Sequence, residues 1–312
     1  CVGGPFGLGG SYTNGANIAV SPGDDITCTF NDTKLGKIIV EKQTVPDGDL
    51  QTFTFSGNAA GNISDGQQIV VNNLLPGTYT STETVPVGWD LTSITCDDTN
   101  SSGAGFTATF QLEAGETVKC IFLDTKRGII AITKDAIPDD PVQDFAFNCT
   151  PSIGSFTLDD DALPPFSNSR TFSNLSPTTY TCLEMGPPGG WALTSLVCSD
   201  PSGGTTTNLG TATATISLAP GETVSCTFTD TKLPVLTVNK IVANDNGGTA
   251  TAGSFTLRVD GSQVTNGASN TFSVGTHSVS EDAFAGYSGT ISGACAANGS
   301  VTITAGQIAT CT

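Results

Sequence analysis

The stretch Gly115–Lys126, GETVKCIFLDTK, decides how this chain reads. It recurs as GDDITCTFNDTK at Gly23–Lys34 and as GETVSCTFTDTK at Gly221–Lys232. Within it Val118, Cys120, Phe122 and Asp124 alternate with Lys119, Ile121 and Leu123. Alternate side chains of a strand leave on opposite faces. An apolar residue, a cysteine, a phenylalanine and an aspartate therefore share one side. An acid on the apolar face of a core strand calls for a partner.

Working outward, each copy is preceded by a module's worth of repeated pattern. The module opens with a strand ending in lysine: Gly36–Lys42, Gly128–Lys134 and Val235–Lys240. A phenylalanine strand follows, at Phe53/Phe55, Phe145/Phe147 and Phe255/Leu257. Next come GTYTSTETVPVGW (Gly77–Trp89), TTYTCLEMGPPGGW (Thr178–Trp191) and GTHSVSEDAFAGY (Gly275–Tyr287). The opening lysines are 92 and 106 residues apart, the size of a small β-sandwich. The expected organisation is a partial module over 1–34 holding closing strands only, then modules over 35–126, 127–232 and 233–312. The last of these stops before a closing tail. The linkers are so short that the modules are expected to form a stiff row.

Composition agrees with an all-β chain. Its 312 residues include 37 Gly and 16 Pro, and long amphipathic helical patterns are absent. Short Val/Ile/Thr/Phe runs are separated by Pro-Gly, Asp-Gly and Asn-Gly turns. The net charge of −18 argues against nucleic acid and anionic membrane surfaces as partners. No apolar run is long enough to span a bilayer, so no membrane insertion is expected.

Ten cysteines beside a single histidine, with no CxxC, do not spell a zinc site. They fall into repeat-matched pairs: Cys1–Cys28, Cys96–Cys120, Cys198–Cys226 and Cys295–Cys311, with Cys149–Cys182 left over inside one module. Five disulfides imply an oxidising, extracellular or cell-surface location. No metal or cofactor is expected. Asp159-Asp160-Asp161 matches no calcium-loop spacing and reads as a solvated acidic loop. Sequons at Asn31, Asn62, Asn100, Asn148, Asn174 and Asn298 are candidates for covalent glycans. With His277 alone, catalytic triads lack parts, and no enzyme activity is expected.

The module pattern resembles a known family. A lysine ends the first strand, Tyr79-x-x-x-Glu83-x-x-Pro86-x-Gly88-Trp89 lies in the middle, and Asp-Thr-Lys closes. The second copy has Met185–Gly190 before Trp191, and the third has His277 in place of the tyrosine. This is similar to the CnaB/SpaA-type domains of prealbumin-like fold found in Gram-positive pilins and surface adhesins. The resemblance implies an intramolecular isopeptide bond between lysine and closing Asp or Asn, assisted by the glutamate. Carried onto this chain, that is Lys42–Asp124 with Glu83, and Lys134–Asp230 with Glu184. Lys240 with Glu281 has no acceptor in its own module, and Asp32 has no lysine.

The residues alone point the same way but leave three readings open. Ile38, Val40 and Lys42 share a face, as do Ile130, Ile132 and Lys134, so lysine, glutamate and aspartate all aim at the core. Buried ions need partners. Burial also favours a neutral amine beside a neutral acid, the reacting forms. Condensation, an unreacted buried ion cluster, and lysines exposed past the strand ends are the alternatives. By analogy with disulfides, closing a loop of about 80 residues stabilises by roughly 4–5 kcal/mol.

The expected function is structural: a subunit of an extracellular, pilus-like filament, a homopolymer grown head to tail. Its incomplete ends suggest strand complementation, with Gly23–Lys34 of one copy completing the last module of another. The alternative expectation is the stalk of a cell-surface adhesin that binds a host or matrix ligand.

Overall fold

Residues 20–312 are described in this computed structural model. The alternation in the sequence becomes three pairs of β-sheets, one pair per repeat. Packing divides the chain into two units: one ends at Asp124, and the other holds Thr125–Thr312 together with the short segment Val87–Asp90.

The first repeat has nine strands: β1 (Gly36–Val45), β2 (Phe53–Gly57), β3 (Gly61–Ile63), β4 (Gln68–Leu74), β5 (Gly77–Thr84), β6 (Trp89–Cys96), β7 (Ser102–Ala104), β8 (Thr107–Leu112) and β9 (Thr117–Lys126). One sheet has the order β4-β1-β9-β6 and the other β3-β2-β5-β8-β7. The opening strand β1 therefore lies beside the closing strand β9, far from it in sequence. Ile38, Val40, Val118, Cys120 and Phe122 point inward from the first sheet, and Phe53, Phe55, Ala108 and Phe110 from the second.

The second repeat copies this plan with β10 (Gly128–Ile137), β11 (Phe145–Thr150), β12 (Gly154–Leu158), β13 (Ser169–Leu175), β14 (Thr179–Glu184), β15 (Trp191–Ser199), β16 (Thr206–Asn208), β17 (Thr213–Ser217) and β18 (Thr223–Lys232). Its sheets are β13-β10-β18-β15 and β12-β11-β14-β17-β16. The strands β10 and β18 run parallel, with Lys134 opposite Phe228 and Ala136 opposite Asp230.

The third repeat has β19 (Val235–Val238), β20 (Leu257–Val259), β21 (Ser262–Val264), β22 (Ser269–Thr271), β23 (Gly275–Glu281), β24 (Ser300–Ile303) and β25 (Ile308–Cys311), in sheets β22-β19-β25 and β21-β20-β23-β24. Again the first and last strands pair in parallel, Val238 opposite Cys311.

Among the described residues the disulfides Cys96–Cys120, Cys149–Cys182, Cys198–Cys226 and Cys295–Cys311 are formed. Cys198 and Cys226 face each other across antiparallel β15 and β18, and Cys149 and Cys182 do so across β11 and β14. These bridges thus staple neighbouring strands within a sheet. Cys1, and with it the Cys1–Cys28 pairing, lies outside the described residues. So does most of the partial module over 1–34.

The structure corrects three local expectations. The opening strands do not end at their lysines: β1 and β10 run three residues further, because the parallel pairing continues to Ile137 and Thr231. Phe255 precedes β20, its backbone held by a short 3-10 turn over Ala252–Ser254. The Gly23–Lys34 copy belongs to no strand, and Phe30 is 80% exposed.

Two buried lysine–aspartate–glutamate sites

In the first repeat, Lys42 on β1, Glu83 on β5 and Asp124 on β9 are all buried. The strand alternation that buries Ile38 and Val40 also carries Lys42 inward. Its Nζ contacts Asp124 Oδ2 and donates to the carbonyls of Gln43 and Phe122, each at 3.0 Å. Glu83 reaches across from the opposite sheet, with Oε1 3.4 Å from Nζ. The second repeat repeats the arrangement. Lys134 Nζ donates to Asp230 Oδ2 at 2.6 Å and to the carbonyls of Asp135 (2.8 Å) and Phe228 (3.1 Å). Glu184 Oε1 is 3.8 Å away. In both sites three acceptors take the three ammonium protons, so the nitrogen is fixed in position.

The carboxyls are less well served. Both oxygens of Glu83 and of Glu184, and Oδ1 of Asp124 and of Asp230, are buried without a donor. Burial pushes each glutamate up to about 8; the neighbouring aspartate adds to the rise and the lysine opposes it. Each glutamate is therefore neutral at pH 7. Once protonated, it has the aspartate within hydrogen-bonding reach. One sheet thus holds an amine against a carboxyl, and the other presses a proton donor onto the same pair.

Phenylalanines complete the enclosure. Nζ of Lys42 lies 4.3 Å from the Phe53 ring centre, and that of Lys134 lies 4.1 Å from Phe145. Phe55 meets Phe122 edge-on at 5.0 Å, as Phe147 meets Phe228 at 5.2 Å. Spacing alone places Phe53, Phe55, Phe145 and Phe147 on a strand without placing them at the lysines. Their i, i+2 pairing in the strand after the lysine, repeated in both modules, was the available signal.

The third repeat is different. Lys240 follows the end of β19, and its Nζ pairs with Glu281 Oε2 at 2.6 Å over the ring of Phe255 at 4.0 Å. The two side chains are 14% and 24% exposed. No aspartate joins them, and they line an open groove together with Leu257, Tyr287, Ile291 and Thr312. Asp32 is exposed and meets no lysine in a comparable site.

Among the sequons, Asn31, Asn62, Asn100, Asn174 and Asn298 are exposed, while Asn148 is half-buried on β11. The acidic run is not a free solvated loop. Asp159 is buried, and Asp160 accepts the backbone N–H of Ala136 and of Asp140, so these acids brace turns. No group of His, Cys, Asp and Glu suited to a metal ion occurs among the described residues. No helix there is long and apolar enough to cross a membrane.

Comparison with known proteins identifies the fold. No curated protein matches the sequence. The Bacillus anthracis TIE protein structure is similar at 18% identity and a TM-score of 0.33, covering 89% of this chain and 50% of that one. The chain thus spans half the length of that protein. A major pilin of Streptococcus pyogenes (13% identity, TM-score 0.30) matches over 64% of this chain and 99% of its own. The shaft pilin of Lactobacillus rhamnosus GG (11%, TM-score 0.23) matches over 63% and 99%. Models of the prealbumin-like fold domain match residues 38–126, 130–232 and 232–312. By those matches, which span almost every described strand, the chain belongs to the SpaA-type prealbumin-like fold domain family.

Proposed function

We propose that this chain is a load-bearing segment of an extracellular, pilus-like filament, with each repeat a separate module and the first two locked by isopeptide bonds. The observation that carries this reading is the pair of buried sites at which first and last strands meet, Lys42–Asp124 and Lys134–Asp230, each faced by a buried glutamate. In the condensation, Nζ of the neutral amine attacks Cγ of the protonated aspartate. The C–N bond forms, the C–O bond breaks, and the departing hydroxyl takes a proton to leave as water. The glutamate shuttles the protons, and the amide keeps one N–H. The chemistry happens once per module, without turnover.

A bond between first and last strands carries tension directly from one end of a module to the other. That property suits a shaft. Intact-mass measurement of the reduced chain tests it: two waters below the sequence mass supports the reading, and the full sequence mass overturns it.

Head-to-tail growth by strand addition is the finer form of the proposal. The groove beside Lys240 and Glu281 is proposed to take a phenylalanine and an aspartate, as the first-repeat site takes Phe122 and Asp124. Phe30-Asn31-Asp32-Thr33-Lys34 carries the same spacing and is exposed. A Lys240–Asp32 cross-link between two copies, found by peptide mass spectrometry of native filaments, supports this mode of growth. Filaments with that groove filled by residues following Thr312 in the same polypeptide refute it. The sequons exposed on the surface are proposed as glycan sites, tested by glycopeptide mapping.

A further inference from the structure

The motif tyrosine of the first two repeats donates to the carbonyl four residues back. Tyr79 Oη donates to the Leu75 carbonyl at 2.8 Å, and Tyr180 Oη donates to that of Ser176 at 2.9 Å. His277 takes the same place on β23. Its Nε2 lies 2.9 Å from the Ser273 carbonyl, again four residues back. Unlike the tyrosines, it has a second polar atom, and Nδ1 lies 2.6 Å from Asp260 Oδ2. Asp260 sits in the β20–β21 turn at φ 50°, with Oδ1 accepting the N–H of Ser278 at 2.8 Å.

We propose that His277 and Asp260 form a pH-operated latch in the third repeat: the doubly protonated imidazole ties the β20–β21 turn to the segment entering β23, and loss of one proton frees one of the two ties. The argument is an inventory of protons. A carbonyl can only accept, and so can a carboxylate. A neutral imidazole has one N–H, whereas the imidazolium has two. Only the charged ring satisfies both contacts.

The surroundings do not compete with this charge. On β24, His277 faces Val301, and Ser300–Ile303 contains no ionisable group. Neither Ser262–Val264 on β21 nor Ser269–Thr271 on β22 contains one. On β20, Arg258 is held by both oxygens of Asp282 at 2.8 Å and by the Gly261 carbonyl. The Phe272 ring lies 5.3 Å from the imidazole. Asp260 is therefore the one carboxylate facing the ring.

The bond to Asp260 raises the His277 pKa above its usual value, against the opposing effect of burial, and Asp260 is lowered in return. The sign follows. A histidine raised in the folded state adds stability that is fully present below its unfolded pKa of about 6.5. That contribution fades as pH rises through the folded value. The Tyr180 phenol, its pKa raised by burial, stays protonated across this range. The latch thus makes the third repeat alone tighter in mildly acidic surroundings.

His277 is the single histidine of the chain, so its imidazole resonances need no assignment. An NMR titration of the full chain is expected to show both ring nitrogens protonated at pH 6.5 and a midpoint above the free value. Asp260→Asn should lower that midpoint by at least about one unit, a tenfold loss of proton affinity. Thermal melts should show the stability of the third repeat falling from pH 6 to pH 9 in the native chain and not in His277→Tyr, which restores the residue of the other repeats. A neutral imidazole at pH 6.5, or a midpoint unmoved by Asp260→Asn, overturns the latch, as does an equal pH slope in His277→Tyr.

Discussion

Replacing Glu184 by Gln should uncouple the second repeat's chemistry from its packing. The amide matches the carboxyl in shape, and a neutral group replaces a group that is neutral at pH 7 because burial has pushed it up to about 8. Lys134 and Asp230 stay paired, so no buried charge is abandoned; Asp230→Ala would add that cost, roughly 3–5 kcal/mol. What Gln cannot do is carry protons between amine and acid. The expected result is one water more in the intact mass and a measurable loss of stability. The loop between Lys134 and Asp230 spans 96 residues, which alone is worth about 4.7 kcal/mol of closure entropy. Two disulfides inside it already bypass spans of 33 and 28 residues, leaving about 35 free, for which the same relation gives about 4 kcal/mol. For a domain of about 100 residues that corresponds to roughly 15–30 °C in the melting midpoint. Reduction should widen the gap between variant and native chain, since the isopeptide then closes the whole loop. The assay is intact-mass spectrometry paired with calorimetry, with and without reductant. If the native chain keeps its full mass, or Glu184→Gln loses water as readily as the native chain, the mechanism is wrong.

Three further outcomes follow from the geometry. In freshly synthesised chain, the rate of water loss should fall as pH rises through about 8, because Glu83 and Glu184 give up the proton they donate; time-resolved mass spectra at several pH values measure it. Gly36→Ala should destabilise the first repeat by roughly 1–3 kcal/mol in a urea titration, since a Cβ there falls 2.6 Å from the Glu116 carbonyl oxygen. Lys240→Ala should cost only about 1 kcal/mol by the same measurement, since its ion pair with Glu281 is partly exposed and solvent screens it.

The fold was legible in the sequence because period-2 alternation and a repeated closing motif act at short range. Val118, Cys120, Phe122 and Asp124 could be assigned to one face from spacing alone, and the face fixed their burial. Cys96–Cys120 and Cys198–Cys226 were legible for a related reason: Cys120 and Cys226 stand at equal distance from the closing Asp-Thr-Lys and meet the same neighbouring strand. What alternation cannot give is depth along the strand or contact between sheets. It did not show that β1 and β10 continue past their lysines, nor that Phe53 and Phe145 lie over the lysine nitrogens, since both depend on how the second sheet docks. It also treated His277 as a packing substitute for tyrosine. The second partner, Asp260, is 17 residues away and is brought in by the β20–β21 turn.

The register of the parallel pair also explains where the buried lysine–aspartate pair sits. Parallel strands offset their side chains, so the residue opposite Lys134 is Phe228, and Asp230 lies one inward position further on. A lysine side chain is long enough to reach along that offset, and its Nζ can then also take the Phe228 carbonyl. An acid directly opposite the lysine would have left that reach unused and displaced the phenylalanine that seals the site. The glutamate must come from the other sheet, because both neighbouring positions on this sheet are occupied. In β14, Glu184 stands opposite Phe147, whose ring meets Phe228. The Phe147–Phe228 contact therefore ties the sheet that carries Glu184 to the strand that carries Asp230. Shrinking Phe228 to Leu should thus slow water loss in the second repeat well before it unfolds the module. Unchanged kinetics of water loss in that variant, with the module still folded, would show that the seal contributes packing alone.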